Sequence, residues 1–565
     1  MTASDRPVIG IDLGTTFSVV AYLDHAGIPQ TIQNLEGELS TPSVVFFDTA
    51  EVVVGREAVK AAIYEPDAAA QFVKRDMGKQ LYHKPLRGVQ LPPEVIQAAI
   101  LRKLRHDAQL KLPEVREAVI TVPAFFNEPR RKATMDAGRL AGLEVLDIIN
   151  EPTAAAIAYG VKAGFVSAGG RARERETVLV YDLGGGTLDL TLMELDGCSY
   201  TALATDGDMH LGGIDWDRRI AEFVAERFQQ QHGVDLRQDV VAMQILLREA
   251  EDAKRALSSR LHTTIRFAHQ GRSLQLAFTR QEFEAMTGDL VQRTVFTVTK
   301  LLRDARRRWS DLSRFLLVGG STRMPMIQHA LEQESGMKVD RSLSPDEAVA
   351  HGAALYAGLL QRGGAAADRN LAVKNVNSHD LGVLAVEKAT GMSRRQVMIP
   401  RNTTLPARSK SRFVTHHDRQ RTVVVNVIEG GDDSGKNSTP IGKCVVSGLP
   451  AKLPAGTSVV VQFYYSANGR LSIKASLPEI GVEASTAIER ASGMTDDMLR
   501  LWQARLDAGQ YLIGAEPEPP PAPAAAKPAR KPSCPAAPPV ADEDFIGPQL
   551  PADDEDSEVF SDLDF

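Results

Sequence analysis

Two short runs, Asp12-Leu-Gly14-Thr15-Thr16 and Asp182-Leu-Gly184-Gly185-Gly186-Thr187, each place a carboxylate ahead of glycines and hydroxyls. Glycine lets the backbone approach a ligand where a Cβ would block it, and successive N–H groups in such a turn cradle anionic oxygen. One turn of this kind is an ordinary hairpin; a matched pair with its acids in register fits a polyphosphate. Asp12 and Asp182 then stand where they can hold Mg²⁺ through the waters that this ion retains. No G-x-x-x-x-G-K-[ST] run occurs, so the site is not a P-loop. In Arg248-Glu-Ala-Glu251-Asp-Ala-Lys254-Arg255-Ala-Leu-Ser258, positions 251, 254 and 258 share one helix face. That face offers a carboxylate, an ammonium and a hydroxyl to a ribose and a base, although alone it reads as a solvated stripe.

Both acids end an apolar strand, and both turns lead into a second one, Ser18-Val-Val-Ala-Tyr22 and Leu188-Asp-Leu-Thr-Leu192, which makes two β-hairpins. Asp12 and Asp182 stand 170 positions apart, a domain-sized period that reads as two related lobes clasping a ligand. Phe315-Leu-Leu-Val-Gly319-Gly320-Ser321-Thr322 repeats the strand-and-turn grammar. Helical periodicity over residues 128–141, 152–159 and 239–261 makes the first 360 residues α/β. Beyond Gly363-Gly364-Ala365-Ala366-Ala367, short β-rich runs at 413–415, 422–428, 458–465 and 470–474, with an Asn468-Gly469 turn, predict a separate β domain. Residues 495–506 read as one amphipathic helix with Thr495 as N-cap. From Glu516 periodicity is lost and ten of the 31 prolines fall between Pro517 and Pro539, which predicts disorder.

Bulk composition narrows the classes. A chain of 565 residues holds several domains, and no apolar run of about 18 residues is present to cross a bilayer. The polar start, Met1 to Pro7, lacks a signal-peptide pattern, so a cytoplasmic protein is expected. Cys198, Cys444 and Cys534 are far apart with no C-x-x-C spacing, which argues against disulfides and structural zinc. The net charge of −7 belongs to residues 541–565, which carry ten acids and no Lys or Arg; the remainder is nearly neutral and does not suit nucleic acid.

Six runs resemble, in order, the signatures of the DnaK-type seventy-kilodalton heat-shock chaperones: Ile9-Gly-Ile-Asp-Leu-Gly-Thr-Thr16, Ile120-Thr-Val-Pro-Ala-Phe-Phe-Asn127, Ile149-Asn-Glu-Pro-Thr-Ala-Ala-Ala156, Asp182-Leu-Gly-Gly-Gly-Thr187, Leu211-Gly-Gly-Ile-Asp-Trp216 and Gly319-Gly-Ser-Thr-Arg-Met-Pro325. The resemblance implies an actin-like two-lobed ATPase domain over 1–362, a linker at 363–375, a peptide-binding β-sandwich over 376–484, a short remnant of a helical lid at 485–514, and a disordered tail at 515–565. It implies that Lys74 acts at the γ-phosphate, that Glu151 positions water and metal, and that Asp12, Asp182 and Asp189 surround Mg²⁺ and the nucleophile. Thr15 and Thr187 would meet the phosphates with the turns of Gly14, Thr16, Gly184, Gly185 and Gly186, and Phe17, Gly213 and Gly319 would also bind the nucleotide. Glu251, Lys254, Arg255 and Ser258, with Gly320, Ser321, Thr322, Arg323 and Asp346, would hold adenosine. ATP or ADP with Mg²⁺, and K⁺ as a companion ion, are the implied cofactors. Pro123 and Arg131 match a switch that relays nucleotide state. Implied partners are unfolded proteins, a J-domain co-chaperone and a nucleotide-exchange factor, with no nucleic acid, no membrane and a monomeric chain.

Several positions depart from the family. Leu371-Ala-Val-Lys-Asn375 stands where a run of leucines ended by Asp is usual, and Lys374 is expected to weaken linker docking. Asp147 replaces an arginine used to meet J-domains, and residues 80–111 are short at a site of exchange-factor contact. Val383, Val386, Phe413, Val423 and Val425 fall where the family lines its peptide groove, or else form plain sandwich core, and His416 replaces a small arch residue. The long helical lid is missing after Leu506. A nucleotide-gated adaptor with little cycling is the alternative reading; a sugar kinase or filament former explains neither the β domain nor the Thr-Val-Pro and Asn-Glu-Pro-Thr runs.

Overall fold

The computed structural model describes residues 6–49, 51–165, 174–361, 372–387, 391–486, 489–490, 493–512, 546–548 and 558–561. In the first lobe, Val8–Asp12 turns back into Phe17–Leu23, with Asp12 opposite Val19. Its other edge runs parallel to Glu117–Val122, which runs parallel to Glu144–Asn150. Parallel strands need cover on both faces. Gly10 allows one such cover to sit close: a Cβ there would come 2.1 Å from the Ala354 backbone nitrogen, so helix Ala348–Gln361 lies directly on the strand.

The second lobe repeats the plan. Glu176–Leu183 pairs antiparallel with Leu188–Asp196, bringing Asp182 opposite Asp189, and parallel with Arg314–Val318. Strand Ser199–Asp208 extends this sheet, and the linker strand Ala372–Lys374 adds in parallel beyond it, with Val373 opposite Tyr200. Lys374, expected to weaken docking, does not face the lobe. Strand side chains alternate in direction; Val373 packs on the lobe core while Ala372 and Lys374 are exposed, so the lysine stays in water.

Beyond the linker two antiparallel sheets face each other. One follows the order Ser393–Ile399, Leu381–Val386, Val423–Gly430, Ser438–Val446, Glu489–Arg490. The other runs Val482–Thr486, Leu471–Leu477, Ser458–Tyr465, Ala407–Thr415, with Ile546–Pro548 and Glu558–Ser561 beyond. Alternation is clear in Leu471–Leu477, whose Leu471, Ile473, Ala475 and Leu477 enter the shared core. The sandwich thus continues to Arg490, past the expected boundary at 484.

The helix after it, Asp496–Asp507, is capped by Thr495 Oγ1, which accepts the Met498 N–H at 3.2 Å, and Gly509 follows it at φ 71°. Leu499, Trp502 and Leu506 are buried in the core of the first lobe, and Arg102 donates to the Leu506 carbonyl at 2.9 Å. This lid remnant is thus fastened to the ATPase lobe, not laid over the sandwich. The Pro/Ala-rich stretch predicted to be disordered lies outside the described residues. Within the acidic tail, however, Ile546–Pro548 and Glu558–Ser561 are strands.

Candidate functional site: a two-lobed nucleotide cleft

The two hairpin turns meet across the cleft. A Cβ on Gly185 would lie 2.2 Å from Thr16 Oγ1, and one on Gly186 would lie 2.4 Å from Thr15 Cγ2, so only glycine permits this approach. Gly319 sits at φ +84°, where a Cβ would fall 2.4 Å from Asp182 Oδ1. Gly14 is equally constrained, 2.0 Å from the Phe17 carbonyl oxygen. These positions form the floor and walls of one cradle.

Lys74 enters it from the short 3₁₀ turn Val73–Asp76 and is only 4% exposed. Its Nζ donates to Glu151, the first residue of helix Glu151–Lys162. Burial works against the ammonium, but Glu151 and Asp12 outweigh it and hold the lysine pKa above its ordinary value. Asp12 and Asp189 are each pushed up to about 7, by burial first and then by the charge of Glu151. Asp182 is raised for the same reasons.

Four carboxylates therefore share one lysine. Asp12 Oδ1 accepts from Thr121 at 3.1 Å and Asp189 Oδ1 from the Phe125 N–H at 3.1 Å, while Asp189 Oδ2 has no hydrogen-bond partner among the described residues. A donor set with excess negative charge and an unsatisfied oxygen suits a cation. Among the described residues no three His, Cys, Asp or Glu side chains converge to hold a metal directly. Were Mg²⁺ bound, Asp12 and Asp182 would hold it through the waters that this ion retains.

The residues expected at adenosine come from the second lobe. Lys254 Nζ donates to the Gly213 carbonyl at 2.9 Å and to Asp217 Oδ2 at 2.7 Å. Arg255 pairs with Glu251 at 2.6 Å and stacks over the Phe17 ring of the opposite lobe, 5.2 Å from its centroid. Ser258 Oγ bonds back to the Lys254 carbonyl, Ser321 Oγ donates to the Gly184 carbonyl at 2.8 Å, and Arg323 pairs with Asp346. Gly320 stands beside Asp346, and Thr187 is buried next to the cradle.

Two residues of the cleft were missed in the sequence. Arg75 donates to the Gly186 carbonyl at 2.7 Å and to Asp215 at 2.7 Å, fastening the second turn to the first lobe. Asp217 holds Lys254 and is pushed up to about 6 by burial, which the lysine partly offsets. Each sits beside a motif, Arg75 next to Lys74 and Asp217 just after Trp216, and that adjacency was the available signal.

The switch residues lead out of the cleft. Arg131 donates to the Phe126 carbonyl at 3.0 Å and to Asn150 at 2.7 Å, just beyond Pro123. Phe125, whose N–H is held by Asp189, bonds through its carbonyl to His379 of the sandwich at 3.1 Å and packs against that ring. Along the same seam the Glu128 N–H donates to Glu429 at 3.0 Å, Asn402 accepts the Thr205 N–H at 3.0 Å, and Asn375 accepts from Thr153 at 3.1 Å. Asp147 accepts from Tyr356 at 2.9 Å beside a cavity of about 340 Å³ between lobe, linker and sandwich. Of the groove residues, Val383, Phe413, Val423 and Val425 are buried in the sandwich core, Val386 is half-buried and His416 is exposed.

A two-lobed cleft with paired glycine turns, carrying a β-sandwich on a docked linker strand, defines an actin-like fold with an appended β-sandwich domain. The Hsp70 protein family model matches residues 8–87 and 80–505, and the chain belongs to that family. Members of the family are ATPases that act as chaperones and bind ATP or ADP with Mg²⁺.

Proposed function

We propose that this chain is a Mg²⁺-dependent ATPase whose hydrolytic cycle regulates binding of exposed apolar segments of unfolded proteins. The observation that carries the reading is Lys74 paired with Glu151 among Asp12, Asp182 and Asp189, because it supplies positioned charge where a γ-phosphate would lie. The backbone amides of the two turns hold phosphate oxygens. Lys74 neutralises charge at the terminal phosphate, Glu151 and Asp189 orient water, and Lys254, Arg255 and Ser258 hold adenosine. Mg²⁺, when bound, neutralises phosphate charge. Clients bind at the sandwich near Phe413 and His416, with a J-domain protein and an exchange factor as candidate partners.

One observation favours the adaptor alternative: the helix Asp496–Asp507 is sunk into the first lobe and opposes separation of the sandwich. Single-turnover ATP hydrolysis with and without Mg²⁺, an unfolded peptide and a J-domain separates the two. Hydrolysis stimulated by peptide is the chaperone outcome; tight ATP binding with no turnover would leave the adaptor.

A further inference from the structure

Strand Ala407–Thr415 has one edge filled by Ser458–Tyr465, with Phe413 opposite Val459. Its other edge would be an open row of backbone donors and acceptors, which sheets normally cover or blunt. Two pieces of the carboxyl-terminal tail cover it. Ile546 lies opposite Thr415, Gly547 opposite Val414 and Pro548 opposite Phe413; farther along, Glu558 lies opposite Lys410 and Ser561 opposite Ala407. Both pieces run antiparallel to the edge and progress along it in the same direction, as one chain would.

Charge points the same way. Arg408, Lys410 and Arg412 alternate along the exposed face of this strand, while residues 541–565 carry ten acids and no basic residue. The first tail strand also approaches Leu381–Val386 and Val423–Gly430 of the opposite sheet. It therefore lies where the two sheets open beside Phe413, at the place assigned above to clients.

We propose that the edge of Ala407–Thr415 is a strand-addition site for an extended acidic segment, and that its resident occupant is this chain's own tail, which clients must displace. The claim about clients rests on the reading under Proposed function; the pairing of tail and edge does not. Main-chain hydrogen bonds supply the attraction in strand addition, and covalent attachment keeps the tail at high local concentration. A weak contact is enough to occupy the edge most of the time. The missing lid and the resident tail fit together, because the tail guards a groove that no helix closes.

The test uses the full-length chain and its I546P/G547P/V559P/F560P variant, which breaks both tail strands. Successive residues of an antiparallel ladder alternate between bonded and non-bonded pairs, so two adjacent prolines remove a ladder bond whichever residue makes it. All four positions lie in the tail, so the lobes and sandwich should fold as before, checked by nucleotide binding. Hydrogen exchange is read on amides of residues 407–415 that face away from Ser458–Tyr465. Protection in the parent, lost in the variant and weakened by high salt, is expected; equally fast exchange in both would overturn the pairing. Association of a fluorescent apolar peptide should rise about tenfold in the variant, because a larger fraction of molecules is then open to it. Equal association in the two chains would overturn the displacement step. Absence of peptide binding to both, with protection still lost in the variant, would sink the client reading and leave the tail pairing standing.

Discussion

The nucleotide cleft and the seam between the lobes and the sandwich both bury carboxylates and push them up, but they surround them with different neighbours. In the cleft, Asp12, Asp182, Asp189 and Glu151 crowd around Lys74 alone, and the excess charge is left for a cation and a phosphate to complete. In the seam, burial pushes Glu429 up to about 8, so it is largely protonated, and pushes His379 down to about 4, so it is neutral. The cleft carboxylates are pushed up by burial and by one another's charge, which an incoming cation would relieve. Beside these neutral groups the seam keeps charge where it is paired: Arg401 of the sandwich lies 3.4 Å from Asp206 of the second lobe. Phe125 touches both regions, with its N–H on Asp189 and its carbonyl on His379.

The largest effect is expected in the cleft. Lys74→Ala should leave ATP bound through the backbone cradle yet lower turnover by about 10²–10³-fold, the scale of losing one positioned charge partner. Single-turnover hydrolysis beside an equilibrium binding assay checks it; unchanged turnover would break the contrast drawn here.

In the helix that follows the sandwich, Trp502 is 3% exposed in the first-lobe core. Trp502→Ala should remove about 3–5 kcal/mol from the packing of helix Asp496–Asp507, as for other large-to-small core changes. Limited proteolysis after residue 490 would show the helix released at lower temperature while nucleotide binding persists.

A smaller effect should follow pH. Freed from the seam, Glu429 returns toward 4.5, so docking loses stability as pH rises from about 4.5 to about 8. His379 returns toward 6.5, so docking loses stability as pH falls from about 6.5 to about 4. The two oppose each other below 6.5, and above it Glu429 acts alone. Docking should weaken between pH 6.5 and 8, by at most about tenfold per unit, and Glu429→Gln should flatten that slope. Hydrogen exchange across residues 125–129 as a function of pH reads it directly, and an equal slope in parent and variant would remove Glu429 from the account.

The smallest effect is expected at the linker. Lys374 is solvated, so Lys374→Leu should change docking by no more than about 0.5 kcal/mol. Asn375→Ala strips the acceptor used by Thr153 and Asn150 and should cost about 1 kcal/mol. Peptide stimulation of ATPase activity in the two variants ranks them; a larger effect at Lys374 would reverse the order.

The amino-acid sequence alone determined the parts whose chemistry is local. Glycine turns behind acids, apolar strands in hairpin pairs and the helix stripe of Glu251, Lys254 and Ser258 are written within a few residues each, so fold class and the outline of the cleft were legible. What tertiary structure decided depends on residues distant in the chain. The direction in which Lys374 points follows from the register of Ala372–Lys374 on Ser199–Asp208, and a shift of one residue would have turned the lysine inward. Arg75 is a clasp only because Gly186 and Asp215 come to it from the other lobe. The amphipathic helix Asp496–Asp507 announced an apolar face but not its partner, and the acidic tail announced charge but not the basic edge beside which it lies. Periodicity fixes which face of an element is apolar, while the surface that covers it is chosen by the rest of the fold.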